Sequence, residues 1–353
     1  MATIQVVESG LLNGDDSVYP TVVRIAGNQL LAAFALGGQD PTGGTHWARS
    51  SDTGRTWTHG GPILLPGRDP LATNSLRLSQ TAGGGILAYG FRKYPSGGSS
   101  AFGHMLRREP VFCRSDDGGH TWSPAEVIPT PIPGPWEVSN PIVVLADGRW
   151  LAPAATLSSA DRLGETVVAF ASADNGQSWP EMYQVMRDPL GRCGYFEQKL
   201  IELEPGRLLA AAWTVRFPDY ADQENHFALS SDGGRTWTPP TPAGLHGQTL
   251  TPIWLGGDRL LAIYNRRQCR PGVRAALVRF SDREWSIACD EEVWSAVDDS
   301  VVQSGASGID RFPSFAFGLP SGIALGPGRV LAVYWVKQAG VCSTQWARLQ
   351  VTF

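Results

Sequence analysis

Six short hydrophobic segments of one kind recur along the chain, and each predicts a buried β-strand. They share a core that ends in Leu-Ala and lie at residues 28–34, 84–90, 148–154, 206–212, 258–264 and 328–334. The leucine before the shared alanine lies 52 to 70 residues from its counterpart in the next copy, and these leucines are Leu31, Leu87, Leu151, Leu209, Leu261 and Leu331. Self-similarity at this period is typical of a β-propeller, in which each repeat forms one blade.

A second kind of segment alternates apolar with polar residues. Examples are THWARSS at residues 45–51, PVFCRSD at residues 110–116 and HFALSSD at residues 226–232. Alternation with a period of two is typical of a half-buried antiparallel strand. With an inner strand before the Leu-Ala segment and an outer strand after the alternating one, each repeat predicts a blade of four antiparallel strands.

A polar phrase, Ser-x-Asp-x-Gly-x-Thr/Ser-Trp, follows the alternating segment in the first four repeats. It occurs at residues 50–57, 115–122, 172–179 and 230–237, and a shortened form occurs at residues 281–285. Aspartate accepts hydrogen bonds from the backbone of its own turn, glycine adopts a left-handed conformation without steric cost, and tryptophan packs into an apolar layer. The phrase predicts a hairpin turn, and its aspartates are interpreted as structural.

The repeats fill the chain, which predicts a single six-bladed domain over residues 1–353, although the length alone would favour two domains. A closed ring of blades leaves no exposed lateral sheet edge. We expect the N-terminal strand, at about residues 3–9, to close the ring as the outer strand of the last blade. The predicted fold class is therefore all-β, a six-bladed β-propeller with four-stranded antiparallel blades.

Composition agrees with this fold and argues against several classes of protein. The 41 glycines and 26 prolines suit tight turns better than helices. No stretch approaches about 18 uninterrupted apolar residues, so no membrane-spanning helix is expected, and a net charge of −4 disfavours nucleic-acid binding. Five widely spaced cysteines, no metal-ligand spacing and no visible secretion signal predict a cytoplasmic protein without a metal or cofactor.

The turn phrases in their six-repeat frame resemble the Asp-box proteins of the sialidase superfamily, over nearly the whole chain. The resemblance implies a six-bladed propeller with Asp-box turns. In that superfamily an aspartate of the first blade is the acid/base group, and Asp40 has a similar place. A glutamate ahead of the fourth Leu-Ala segment polarises a tyrosine nucleophile, and the phrase EQKLIEL at residues 197–203 gives Glu197 this place.

Other sialidase residues have no good counterpart in this chain. The first of three substrate-binding arginines corresponds to residues 18–21, the second falls near Trp213, and Arg274 matches the third loosely. The sixth repeat has Phe317 and Leu319 where the tyrosine nucleophile is expected. We therefore expect a member of the superfamily that is not a true sialidase.

Acidic residues just before the inner strands are the natural candidates for catalysis, because propeller sites lie at the mouth of the central channel. Glycoside hydrolysis commonly needs a protonated carboxyl group beside an ionised one. Glu197 lies in an aromatic segment where burial would raise its pKa, Glu137 follows a tryptophan that could stack on a sugar, and Asp40 lies in a glycine-rich loop. These three residues form the predicted catalytic set.

Further polar and aromatic side chains are predicted to bind substrate, although each one alone has a structural explanation such as an inter-blade ion pair. The basic residues among them favour an acidic sugar such as a uronic acid. The predicted substrate-binding residues are His46, Asp69, Arg92, Trp136, Tyr195, Trp213, His246, Tyr264, Arg266, Arg274 and Arg311.

Three functions are compatible with these patterns. The first is an exo-acting glycoside hydrolase that cleaves a terminal sugar, either acidic or neutral, with the carboxylate set. The second is a polysaccharide lyase in which His46, His246 or Tyr264 removes a proton next to a uronate carboxylate. The third is a non-catalytic glycan-binding propeller, which would lack two carboxyl groups within about 10 Å at the channel mouth. The expected partner is an oligosaccharide or glycoside, without nucleic acid or membrane, and the oligomeric state stays open.

Overall fold

A computed structural model describes the chain at residues 1–39, 43–64, 75–93, 108–132, 134–267, 270–296 and 315–353. Within these ranges all regular secondary structure consists of β-strands. The strands form six antiparallel sheets, one for each repeat, so the predicted six-bladed propeller is confirmed. In the same ranges no helix is long and apolar enough to cross a membrane.

The strands of the first three blades follow one another outward from the propeller axis. Blade one consists of β2 (Ser17–Ala26), β3 (Gln29–Leu36), β4 (Thr45–Ser50) and β5 (Thr58–Pro62). Blade two consists of β6 (Arg77–Gln80), β7 (Ile86–Lys93), β8 (Arg108–Ser115) and β9 (Glu126–Val127). Blade three has a divided inner strand and consists of β10 (Trp136–Glu137), β11 (Val143–Val144), β12 (Trp150–Leu157), β13 (Leu163–Ser172) and β14 (Glu181–Arg187).

The last three blades repeat this plan, and blade four has one additional short strand. Blade four consists of β15 (Cys193–Glu204), β16 (Arg207–Arg216), β17 (Ala221–Asp222), β18 (Glu224–Ser230) and β19 (Thr241–His246). Blade five consists of β20 (Gln248–Gly256), β21 (Arg259–Arg266), β22 (Gly272–Phe280) and β23 (Trp285–Ser295). Blade six consists of β24 (Phe317–Gly326), β25 (Arg329–Gln338), β26 (Val341–Thr352) and β1 (Thr3–Asn13).

The two ends of the chain meet in blade six. Strand β1 runs antiparallel to β26, and the pairing extends from Thr3 opposite Thr352 to Asn13 opposite Thr344. Near the axis each inner strand contacts the inner strands of both neighbouring blades, in the order β2, β6, β11, β15, β20, β24 and back to β2. The inner strands therefore surround one axis, and their first residues meet at one end of it.

The paired apolar residues of each Leu-Ala segment explain how the blades pack. Adjacent side chains on a strand point to opposite faces of the sheet. In blade one, Leu30 belongs to the cluster shared with blade six and Leu31 to the cluster shared with blade two, and both are fully buried. In blade four, Leu208 and Leu209 are divided in the same way between blades three and five. The hydrophobic core thus lies between the blades, and it covers both faces of each second strand.

The aspartate phrase forms a hairpin turn and also fastens one blade to the next. In blade four, Asp232 accepts hydrogen bonds from the amides of Arg235 and Thr236 and from the hydroxyl of Thr236. Gly234 has a φ of +82°, and a Cβ atom there would lie 2.8 Å from Leu151 of blade three. The glycine therefore serves both the left-handed turn and the close approach of the two blades.

We expect the Asp232→Ala variant to be less stable by about 1–2 kcal/mol, because its turn loses the acceptor of several hydrogen bonds. Although burial opposes ionisation, hydrogen bonds from Thr236 and Ser230 lower the pKa of Asp232 to about 2. A carboxylate with a depressed pKa stabilises the fold at neutral pH, and this contribution is lost as the pH falls from about 4 toward 2. Denaturant unfolding at pH 7 and at pH 3 measures both effects.

Asp282→Ala is the matched control for this prediction. The Asp282 side chain is 80% exposed and lies 3.7 Å from Arg207, and an exposed ion pair of this kind contributes less than about 1 kcal/mol. Equal stability of the two variants at pH 7 would contradict the role assigned to the turn.

Candidate functional site

Four inner strands share the same backbone irregularity close to their first residues. In blade four the pairing of β15 with β16 is interrupted between Phe196 and Lys199, and Glu197 in this gap has a φ of +50°. The equivalent residues of β2, β20 and β24 lie in equivalent gaps and are also left-handed: they are Tyr19, Thr249 and Leu319. A bulge bends its strand and redirects the side chains, and left-handed non-glycine residues are uncommon enough to mark candidate functional positions.

Glu197 and Glu137, both predicted to be catalytic, come from neighbouring blades and interact. Glu197 lies in the bulge of β15, and Glu137 ends β10. Both carboxyl groups lie deep in the protein, and both side chains keep part of their surface accessible. Burial raises the pKa of Glu197 to about 7 against the opposing charges of nearby cations, and the charge of Glu137 adds to the rise. Glu197 is therefore protonated in a large fraction of molecules at neutral pH.

Glu137 has different surroundings from Glu197. Burial raises its pKa, but the hydroxyl of Ser139 donates a hydrogen bond to its Oε1 atom and favours the ionised form. Its Oε2 atom is buried and has no hydrogen-bond partner among the described residues. This difference favours an arrangement in which Glu137 is ionised and Glu197 holds the proton.

Three cationic side chains surround Glu137 and lower its pKa. They are Lys199 of β15, Arg108 of β8 and Arg77 of β6. Burial lowers the pKa of each cation in turn, because removal from water disfavours a charged group of either sign. The Nε atoms of Arg77 and Arg108 are buried and have no hydrogen-bond partner in the part of the chain that the structure describes. Such donors suit the binding of an anion.

Arg267, which follows β21 in blade five, is held near the carboxyl pair by other side chains. Its guanidinium group donates a hydrogen bond of 2.6 Å to Gln248, and its central carbon lies 3.7 Å from the ring centroid of Phe315. Gln248 donates in turn to Asp222 at 2.8 Å. The fixed positive charge acts on the site, because it lowers the pKa of Glu197.

Tyr19 brings a phenol group from blade one to the same end of the axis. Its backbone carbonyl accepts a hydrogen bond of 2.8 Å from Arg77, and its ring meets Trp335 edge-on. Burial raises the pKa of Tyr19 to about 12, and the charge of Glu197 contributes to the rise. The phenol is therefore neutral at physiological pH and can donate a hydrogen bond.

Some predicted site residues lie at or near this cluster. Besides the two glutamates, Trp213 lies at its edge, where the indole donates a hydrogen bond of 2.7 Å to Asp222. Trp136 and Tyr195, which are close in sequence to the glutamates, pack in the core between blades. Their rings are almost completely buried, so the idea of Trp136 as an open sugar-stacking platform does not fit its position.

The two predicted histidines lie elsewhere. His246 is exposed at the end of β19, with its Nε2 atom 3.7 Å from Glu224. His46 lies on β4, where its Nε2 atom is 3.2 Å from the carbonyl of Gly43. Within the described ranges, neither histidine makes a hydrogen bond or ion pair with the carboxyl pair.

The predicted residues of blade five are engaged in contacts of their own. The hydroxyl of Tyr264 donates to Asp290 at 2.8 Å, and Arg274 bonds to the same carboxylate at 3.0 Å. Arg266 donates to a backbone carbonyl of the loop after β21 at 3.4 Å.

In blade two, Arg92 lies on β7. Three further predicted residues lie outside the described ranges: they are Asp40, Asp69 and Arg311.

Four residues of the cluster were not predicted from the sequence: Arg77, Arg108, Lys199 and Tyr19. A signal for two of them becomes visible once the repeats are aligned on the shared leucine. Ten residues before that leucine stand Thr21, Arg77, Pro141, Lys199, Thr251 and Ser321. Only the second and fourth repeats carry a charge at this position, and these repeats flank the blade that contains Glu137.

The cluster combines a proton donor, an ionised carboxylate and fixed positive charges. Such a set can transfer a proton and bind an anion. No group of three His, Cys, Asp or Glu side chains in the described residues is arranged to hold a metal ion.

Solved structures with the same architecture cover almost the whole chain. A protein of unknown function from Dyadobacter fermentans aligns over 99% of both chains with a TM-score of 0.75 and 19% identity. The NanB sialidase from Streptococcus pneumoniae aligns over 98% of this chain and 70% of its own, with a TM-score of 0.64 and 13% identity. The Trypanosoma rangeli sialidase in complex with the inhibitor DANA aligns over 94% of this chain and 54% of its own, with a TM-score of 0.62 and 15% identity.

The chain has the same propeller fold as these sialidases. No protein-family model and no curated protein matches its sequence. At these identities the likeness is one of fold, so the chemistry has to be argued from the central cluster of this chain.

We expect the Ser139→Ala variant to raise the pKa of Glu137 by about one unit, because the ionised carboxylate loses its hydroxyl donor. Carbon-13 NMR of the glutamate carboxyl groups, assigned with Glu137→Gln, measures the change. Ser159→Ala is the control, since Ser159 donates to the exposed Asp161 and should leave Glu137 unaffected. An unchanged Glu137 titration in Ser139→Ala would contradict the assigned hydrogen bond.

Proposed function

We propose that the protein is an exo-acting glycoside hydrolase that removes a terminal acidic sugar from an oligosaccharide or glycoside. The observation that carries the proposal is the interacting pair formed by Glu137 and Glu197, whose surroundings favour different protonation states. Glycosidases commonly use such a pair, with one carboxyl group protonating the leaving oxygen and the other acting in its ionised form.

The roles follow from the protonation states. Glu197, with a pKa raised to about 7, is the proposed proton donor to the glycosidic oxygen. Glu137 is the proposed ionised partner, which acts as base or nucleophile. Asp40 is the third member of the proposed set, on the basis of the resemblance described above.

An acidic sugar accounts for the cations of the site. When Glu197 holds its proton, the ionised Glu137 is set against Arg77 and Arg108, and against Lys199 in those molecules in which the lysine is protonated, because burial lowers the pKa of Lys199 to about 7. A carboxylate on the substrate would balance this excess of positive charge, and buried arginine donors are well suited to hold it.

Exo action accounts for the depth of the site. The carboxyl pair lies where the inner strands meet at the axis, and only part of each side chain is accessible. A recessed site at the axis would admit the end of a glycan chain more readily than its middle.

We expect Glu197→Gln and Glu137→Gln each to lower kcat/KM by about 10²–10⁴-fold, since each variant removes one half of the acid/base pair. The assay uses a panel of aryl glycosides of acidic and neutral sugars, and only the acidic substrates should be cleaved well. Asp40→Asn, measured beside them, tests the third member of the set.

Glu224→Gln is the control, because Glu224 lies at the start of β18, is partly exposed and pairs with His246. It should retain nearly full activity. Full activity in both Glu197→Gln and Glu137→Gln would overturn the proposal. A product that absorbs in the near ultraviolet would indicate elimination by a lyase, and binding of acidic sugars without turnover would indicate a non-catalytic propeller.

A further inference from the structure

Lys199 occupies a place that the fold does not require to be a lysine. The equivalent position in blades one, five and six holds Thr21, Thr251 and Ser321, each ten residues before the shared leucine and each paired with the second strand in the same register. A small neutral side chain is therefore compatible with the architecture. A buried lysine loses side-chain entropy and hydration, so its presence calls for a compensating interaction.

The ammonium group of Lys199 is tethered to the blade that contains Glu137. It donates a hydrogen bond to the backbone carbonyl of Ser139, whose hydroxyl group donates to Glu137. The Lys199 side chain is buried, and the residue is only 7% exposed. Ser139 thus connects the cation to one carboxyl group, while the other, Glu197, lies two residues before Lys199 on the same strand.

The charged and titratable groups that face Lys199 come from every neighbouring blade. The carboxyl groups of Glu197 and Glu137 raise its pKa, whereas burial and the charge of Arg77 lower it. Arg108 of β8 acts on Glu137, and Arg267 and Tyr19 lie on the side of Glu197. Lys199 and Arg77 each act on both carboxyl groups, and of these two cations Lys199 is the one that shares a strand with Glu197 and is tethered to the segment that follows Glu137.

We propose that Lys199 is a positioning residue that keeps one carboxyl group of the Glu137–Glu197 pair ionised, so that the pair begins the reaction with a single proton. Without the ammonium group, Arg77 and Arg108 would still act on Glu137, but its pKa would rise, and a larger fraction of molecules would hold a proton on both carboxyl groups. The kinetic consequence rests on the proposed hydrolase function, whereas the protonation of the pair does not.

The test compares Lys199→Met, which keeps the bulk of the side chain, with Lys199→Arg, which keeps the charge. On the acidic side of the pH profile, kcat/KM rises with pH as the carboxyl group that must be ionised loses its proton. Loss of the nearby positive charge in Lys199→Met should move this acidic limb of the profile upward by about one pH unit. Relative to the unaltered protein, Lys199→Met should therefore lose about tenfold more kcat/KM at pH values below this limb than at pH values above it. Lys199→Arg should retain a limb close to that of the unaltered protein. A uniform loss across all pH values in Lys199→Met would show a merely structural role and overturn the proposal.

A second measurement separates this proposal from the hydrolase function. Carbon-13 NMR follows the carboxyl groups of Glu137 and Glu197 in protein without substrate, with each signal assigned by its glutamine variant. The lower of the two titrations should move upward by about one unit in Lys199→Met and return in Lys199→Arg. If Lys199→Met does not fold, Lys199→Thr replaces it in this measurement, because threonine occupies the equivalent position in blades one and five. Unmoved titrations would overturn the role of Lys199 even if the protein cleaves glycosides, and a shift in a protein without glycosidase activity would leave this role standing.

Discussion

The six inner strands surround a single axis and begin at the same end of it, and the candidate site depends on this convergence. It places Glu137 of blade three and Glu197 of blade four in one polar cluster, although they are distant in sequence. The convergence rests on packing between the blades, where adjacent residues such as Leu30 and Leu31 are buried against different neighbours. The turn glycines reinforce it, since they allow each turn to approach the blade before it.

The polar cluster is held together by opposite charges that have lost most of their water. A buried carboxylate or ammonium group is costly alone, but each becomes acceptable when the other is close and hydrogen-bonded. Arg77 and Lys199 flank Glu137 from the two adjacent blades at the same position of the repeat. Among the described residues, Glu137 but not Glu197 also accepts a hydrogen bond from a hydroxyl group, so the two carboxyl groups differ in their chemistry.

Much of the fold could be predicted from the sequence, because the Leu-Ala segments and the turn phrases are local patterns with a fixed spacing. Glu137 and Glu197 could be singled out because they stand ahead of the Leu-Ala segments of their repeats, in the stretch where the inner strand was expected. Arg77 and Lys199 could not be found by a search for acidic residues, since their meaning appears only when the repeats are aligned. The hydrogen bond between Tyr264 and Asp290 crosses from one strand of blade five to another, and no local pattern indicates it.

The kinetic effect of combining Glu137→Gln with Glu197→Gln tests most directly whether the two carboxyl groups work as one unit. Residues that act in the same step show strongly non-additive losses. On an acidic aryl glycoside, the kcat/KM of the double variant should therefore be only slightly lower than that of the less active single variant. A double variant whose loss in kcat/KM equals the product of the two single losses would show that the glutamates act independently and would contradict a shared site.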